Sequence, residues 1–393
     1  MRLSGGGTLG YCLNVHPTQT FTEVRAALLG PVREIKRRLC PDRPFGVGLR
    51  LSAEAAAEAG VAAELAAIFG GEGFAAFTMN GFPYGRFHGA PVKEAVYEPD
   101  WTTAERVAYS LSLAETMAAL VPSAGFATIS TVPGGFAPRV TGREAAVADG
   151  LLQAVAGLVR LEQDTGRTVA LALEPEPWCL LDSTADAVAF FRAHLFTEAA
   201  ARRLGALAGL TADEAAAALP RHLGLCLDVC HMAVNFEEPA ETLAVLAAAG
   251  IPIHKVQLSA ALRIARADAA ARERLAAFRD AVYLHQTVAR AADGRVRRFV
   301  DLPQALESPG GEDEEWRVHF HVPLFAEPEP PLDSTSGALE GMLAIHRDRP
   351  VAPHLEVETY TWDVLPAEAC GAGAMSVVDG IEREMRWVLE RLS

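Results

Sequence analysis

Eight short, nearly continuous apolar runs recur along the chain, most of them ending in polar residues and separated by longer, often Ala-rich segments with helical spacing. The runs are Leu9 to Val15, Phe45 to Leu51, Phe74 to Met79, Phe126 to Thr131, Thr168 to Leu173, Leu223 to Leu227, His254 to Leu258 and Leu355 to Thr359. Continuous rather than alternating apolar character is the mark of strands covered on both faces by helices. The intervening segments read as helices over Thr22 to Leu39, Ala53 to Phe69, Thr103 to Leu120, Arg143 to Gln163 and Ala185 to Leu219, with a closing helix over Met375 to Leu392. Strand–helix alternation of this kind predicts a parallel sheet, either closed into a barrel or open and doubly wound. An open sheet would carry a Gly-rich phosphate turn after its first strand. Here Gly5, Gly6 and Gly7 precede that strand instead. The prediction is an α/β fold, a (β/α)8 TIM barrel.

Such a barrel takes about 250 residues, and this chain has 393. One barrel domain over residues 1–393 with long insertions accounts for the surplus. The expected insertions are Pro83 to Trp101 and residues 262–331, the latter carrying the turn-rich stretches DGRVRR, SPGGEDEE and EPEPP. Trp316 to Phe325 inside it reads as a ninth strand outside the barrel. Thirty-five Lys and Arg against fifty Asp and Glu give a net charge of −15, which argues against nucleic acid or an acidic membrane as partner. No apolar run reaches bilayer length, and none of signal-peptide type follows Arg2. Six scattered cysteines, Cys12, Cys40, Cys179, Cys226, Cys230 and Cys370, make no disulfide framework. A cytoplasmic protein without membrane insertion is expected, its ligand a small-molecule metabolite.

The polar ends of the runs carry the chemistry. The fifth strand reads VALALEPEPW and ends in Glu174 and Glu176; the sixth reads LGLCLDVCH, with Asp228 and, three residues on, His231. The inserted WRVHFHVPLF holds His319 and His321, and the last strand, HLEVETYTW, holds Glu356 and Glu358. Ionised carboxylates at buried strand ends need a partner or a metal, and barrel strand ends converge on one mouth. Glu174, Asp228, His231 and Glu358 are therefore the expected ligands of a divalent cation. Mn, Zn, Co and Mg all suit oxygen and nitrogen ligands, and composition does not choose among them. Glu356 shares a strand face with Glu358 but sits deeper. Asn14 and His16 after the first strand, Arg50 at the second, and Asn80 and His88 after the third are expected substrate contacts, together with Glu176, His319 and Glu356. Cys226 and Cys230 read as small core residues. The Arg295, Arg297 and Arg298 cluster reads as the charged face of a hairpin.

Together, LALEPEP, LGLCLDVCH, HKVQLS and LEVET resemble the xylose-isomerase-like TIM-barrel superfamily, which includes sugar and sugar-phosphate isomerases and epimerases and the AP endonucleases of family 2. The resemblance implies that Glu174, Asp228, His231 and Glu358 occupy its metal positions. It also marks a departure, because the superfamily usually carries a His ligand where this chain has Gln257. His321 is then the expected source of the missing nitrogen, and Gln257 joins the substrate contacts. YCLNVHPTQTF, NGFPYGRFHGAPVKEAVYEPDW and HFHVPLF resemble, more narrowly, metabolite-traffic proteins of the EboE type. That likeness implies a place in bacterial secondary-metabolite processing or traffic, with proteins of the same export cluster as partners.

The expected function is a metal-dependent isomerase or epimerase of a sugar-like or polyol metabolite, with Glu174 and Glu358 exchanging the proton as base and acid. The same site could hydrolyse its substrate. The alternative is a non-catalytic metabolite carrier, favoured by Gln257 and the EboE-like segments. Phosphodiester cleavage ranks last because of the charge.

Overall fold

The computed structural model describes residues 1–3, 5–89, 91–366 and 375–393. Seven strands come first: β1 (Thr8–Cys12), β2 (Phe45–Arg50), β3 (Phe74–Asn80), β4 (Phe126–Thr131), β5 (Thr168–Leu173), β6 (Leu223–Asp228) and β7 (Ile253–Leu258). The chain then leaves the barrel for β8 (Ala261–Ile264), β9 (Thr287–Arg290), β10 (Val296–Phe299), β11 (Glu315–His321) and β12 (Leu332–Ser334). It returns as β13 (His354–Val357), which pairs in parallel with both β7 and β1 and closes the ring. The barrel is a closed, parallel (β/α)8 TIM barrel. The strands from β8 to β12 form a separate antiparallel sheet in the order β10-β9-β11-β8-β12.

Local chemistry explains where elements differ from expectation. The helix predicted over Thr22 to Leu39 is two α-helical segments joined by a wider turn at Leu28–Val32. Pro31 lies in that turn, and its missing N–H cannot support regular α-helical bonding. The segment predicted as one helix over Ala185 to Leu219 divides into Thr184–Phe190, Glu198–Ala208 and Ala212–His222. Gly209 ends the second with φ 71°, and Thr211 opens the third with a capping box to Glu214. The expected ninth strand is the central strand of the inserted sheet, with Trp316 fully buried.

The barrel axis is unusually polar. Parallel register aligns Cys226 with Lys255, Asp228 with Gln257 and Glu356 with Gln257 on adjacent strands. Lys255 Nζ lies 2.5 Å from Glu356 Oε2 and donates to Ser130 Oγ at 3.2 Å, with Lys255 and Glu356 wholly buried. Gly48 makes room for this pair, since a Cβ there would stand 1.2 Å from Glu356 Oε1. Below lies an aromatic and imidazole layer: Phe77 and Phe126 pack on His354, and Phe126 also packs on His254. The five described cysteines are buried and unpaired; Cys370 lies outside the described residues. Among the described residues, no helix is long and apolar enough to cross a membrane.

Candidate metal centre

The C-terminal ends of β5, β6 and β13 meet the end of β11 above this polar axis. Glu174 is the first residue beyond β5, and its N–H donates to Thr131 O on the neighbouring strand. Asp228 ends β6 and caps the short helix Val229–Val234 that carries His231. Its Oδ1 accepts from the His231 N–H at 3.0 Å and from Ser259 Oγ at 2.7 Å, while Oδ2 has no partner. Glu358, just past β13, is held through Oε1 by Asn14 Nδ2 at 2.5 Å and Asn80 Nδ2 at 3.0 Å. One oxygen each from Glu174, Asp228 and Glu358 lie within 4.8 Å of one another. His231 Nε2 and His321 Nε2 stand 3.9 and 3.8 Å from Asp228 Oδ2.

Hydrogen bonds on the far side of each imidazole set its tautomer. His231 Nδ1 faces Pro175 O at 2.9 Å, His319 Nδ1 faces Gln286 Oε1 at 2.7 Å, and His321 Nδ1 faces Glu358 O at 2.5 Å. Each partner can only accept, so each Nδ1 donates and the neutral ring keeps a lone pair on Nε2. His321 Nε2 has no partner, and the Nε2 atoms of His231 and His319 face each other at 3.1 Å. Lone pairs converging on unpartnered carboxylate oxygens are a cation-binding arrangement. Glu176, His231 and His319 form a further group of the same kind, with Glu176 Oε1 accepting from Tyr97 Oη and Gln286 Nε2.

The electrostatics agree. Five carboxylates, from Glu174, Glu176, Asp228, Glu356 and Glu358, are buried in this region, and Lys255 supplies a buried ammonium paired with Glu356. Burial, then the charges of Glu358 and Asp228, pushes Glu174 well above the usual carboxylate range. Burial and the Asp228 charge raise Glu358 to about 8. Burial also opposes ionisation of Asp228, but His231, His321 and the Ser259 hydrogen bond outweigh it and hold this carboxyl below its ordinary value. Burial lowers His321 to about 4 and His319 well below its usual range, so both are neutral at pH 7. Carboxyls whose ionisation is opposed by burial and by one another, beside neutral imidazoles, fit a divalent cation. Gln257 fits as well: its amide is buried between Asp228 and Glu356 in the register, and neither its oxygen nor its nitrogen has a partner.

Comparison with known proteins reaches the architecture. No protein-family model matches the chain, and no curated protein matches it in sequence. Among solved structures, it is similar to a xylose isomerase-like TIM barrel protein from Mycobacterium smegmatis in complex with magnesium, at a TM-score of 0.51 and 11% identity over 100% of this chain and 98% of that one. That likeness shows the fold alone, a TIM barrel. Similarity extends to D-psicose 3-epimerase with D-tagatose from Clostridium cellulolyticum, at a TM-score of 0.49 and 10% identity over 98% of this chain and 99% of that one. A xylose isomerase domain protein from Planctomyces limnophilus gives a TM-score of 0.48 and 12% identity, over 92% and 89% of the two chains. None of these matches extends to the EboE type of protein.

The residues singled out in the sequence fall into three groups. Glu174, Asp228, His231, His321 and Glu358 come together, and Glu176 and His319 stand beside them. Asn14 and Asn80 line the same cavity and clamp Glu358, while Gln257 and Glu356 lie in the layer beneath. Arg50, His16 and His88 sit outside the cavity lining. Arg50 donates to Thr18 O and Thr18 Oγ1, His16 bonds Tyr11 Oη, and His88 bridges Asn14 O and Tyr283 Oη. Sequence reasoning missed Ser259, Gln286, Tyr97 and Lys255. Ser259 and Lys255 had a signal, because both fall on the face of HKVQLS that carries Gln257. Gln286 had none, since it meets His319 only through the pairing of β9 and β11.

Proposed function

We propose that this protein is a divalent-metal-dependent enzyme that removes and returns a proton beside the carbonyl of a small hydroxy-carbonyl metabolite, as isomerases and epimerases do. The observation that supports this reading is the convergence of the unpartnered Asp228 Oδ2, Glu174 Oε2 and His321 Nε2 with Glu358. Asp228, His231 and His321 would hold the cation, with Glu174 and Glu358 at its edge and the inserted sheet delivering His321 to the barrel. We take the whole chain as one working unit on that account. A bound cation would stabilise the negative charge that grows on substrate oxygen as a neighbouring C–H bond breaks. Glu174 would accept that proton, and Glu358 would return one either to the same carbon from the opposite face, giving an epimer, or to the former carbonyl carbon while the neighbouring hydroxyl passes its proton to the former carbonyl oxygen, giving an isomer. Asn14 and Asn80 would keep the Glu358 carboxyl in one orientation while the proton passes. His319, Glu176 and Tyr97 would border the substrate. Magnesium in the mycobacterial neighbour and the sugar in the clostridial one are properties of those proteins, and they guide only the choice of cations and first substrates to try.

The test combines metal content with isotope exchange. Protein purified without chelator should carry about one equivalent of a divalent metal, and Asp228→Ala/His231→Ala should carry none. In deuterated buffer the metal-loaded protein should wash deuterium into the carbon next to the carbonyl of a small hydroxyketone, a signal lost in Glu174→Gln and Glu358→Gln. Stoichiometric metal with no exchange in any hydroxyketone tried would overturn the catalytic reading in favour of a carrier.

A further inference from the structure

The cavity over the candidate metal centre has two unlike halves. Its floor is the polar set of Asn14, Asn80, three glutamates (Glu174, Glu176 and Glu358) and the histidines of the centre. Its walls and roof are built largely from Phe82, Phe87, Val96, Tyr283, Leu284 and Tyr360. Phe87 follows β3, Tyr283 precedes β9 and Tyr360 follows β13, so three separate segments supply the roof. Their rings pack mutually with centroids 5.1 to 5.4 Å apart, forming a small apolar cluster separate from the main core.

The donor protons of this half are already directed to partners. Tyr283 Oη bonds His88 Nδ1 at 2.7 Å, and Tyr97 Oη donates to Glu176 Oε1 at 2.7 Å. Tyr360 Oη points to His319 Nε2, 3.5 Å away on the floor. Lys93 is the lysine among the described lining residues, and all three of its protons are directed elsewhere: to Asp280 O at 2.9 Å, Tyr283 O at 2.6 Å and Asp301 Oδ2 at 2.7 Å. A phosphate entering here would meet no uncommitted cationic side chain among those residues. A hydroxyl turned toward Phe82, Phe87, Val96 or Leu284 would lose water without gaining a side-chain partner there. The cavity volume is about 70 Å³, room for about five to seven water-sized groups.

We propose that the ligand is a compact compound with two vicinal oxygens, a hydroxyl and a carbonyl, that meet the floor, and a short unhydroxylated carbon chain that meets the wall. Polyols and sugar phosphates are the wrong chemistry for this half of the cavity. The inference rests on the metal-dependent reading above and narrows its substrate class.

A matched pair of six-heavy-atom probes tests it. Dihydroxyacetone and 1-hydroxybutan-2-one share the chelating head and differ by a hydroxyl against a methyl at the far end. Calorimetric titration of the Mn²⁺-loaded protein should give 1-hydroxybutan-2-one the tighter binding by at least about tenfold. Val96→Thr exchanges a methyl for a hydroxyl in the wall at nearly constant shape, and should narrow that preference to about threefold or less. Equal or tighter binding of dihydroxyacetone, or binding of neither probe, would overturn the inference. Titration of Mn²⁺ itself in the same series separates the two levels. Failure to bind Mn²⁺ removes the metal-dependent reading and the inference with it, whereas stoichiometric Mn²⁺ with the wrong probe preference removes the inference alone.

Discussion

Glu384 offers a prediction whose size follows directly from its surroundings. It lies on the closing helix Val377–Leu392, is fully buried, and accepts through Oε1 from the Leu324 N–H at 3.0 Å and the Thr359 hydroxyl at 2.6 Å. Leu324 is three residues beyond His321 and Thr359 directly follows Glu358, so one carboxyl pins the two segments that carry His321 and Glu358. Burial pushes it up from its ordinary value of 4.5 to about 7, overcoming the opposing donors. A carboxyl raised on folding favours the native state when protonated. Its contribution is complete below pH 4.5 and is lost as pH rises through 7. At about 1.36 kcal/mol per pH unit, the move from 4.5 to 7 costs the folded state about 3 kcal/mol, of which about 1.4 kcal/mol falls between pH 6 and 8.5. That window lies above the pI of about 5.2. Glu384→Gln keeps an acceptor oxygen and cannot ionise. Urea unfolding of the metal-free proteins should show the wild type losing about 1.4 kcal/mol more than Glu384→Gln from pH 6 to pH 8.5. Stability curves that run parallel to within about 0.5 kcal/mol across that window would refute the reasoning.

Gly48→Ala would drive a methyl to within 1.2 Å of Glu356 Oε1; displacing that carboxylate from Lys255 should cost about 3–5 kcal/mol in chemical denaturation or leave no folded protein. Lys255→Met alone should cost a similar about 3–5 kcal/mol by stranding Glu356, and Lys255→Met/Glu356→Leu should recover much of it, because two apolar groups replace a desolvated ion pair. A double variant no more stable than the single one would show that packing, rather than charge, governs the axis. Wild-type protein with Mn²⁺ at about a hundredfold excess over Kd should gain about 2.7 kcal/mol in unfolding free energy. Asp228→Asn should lose that gain while its metal-free stability stays near wild type.

Much of the fold was legible because strand burial writes itself into local composition. β4 and β5 match their expected bounds, and every barrel strand falls on its apolar run. The joined helices around Pro31 and Gly209 were misread because apolar periodicity continues across both interruptions, while the breaks depend on single residues. The carboxylates of the centre were also readable. Glu174, Asp228 and Glu358 stand at or just beyond strand ends, where the barrel topology forces convergence. His319 and His321 were harder to place. Two histidines at alternating positions fit an exposed ribbon as well as a site, and burial was decided by β8 and β9 flanking β11.

Order along the chain therefore determined the closed barrel, the mouth at its C-terminal face and the carboxylates gathered there, because alternation and burial are local properties. Tertiary structure alone decided which imidazole nitrogen faces the centre, that Lys255 balances Glu356 beneath it, and that aromatic rings from three distant segments roof the cavity. Those features depend on hydrogen bonds and contacts between residues far apart in sequence. Asn14 and Glu358, for example, are 344 positions apart, and no local pattern records their meeting.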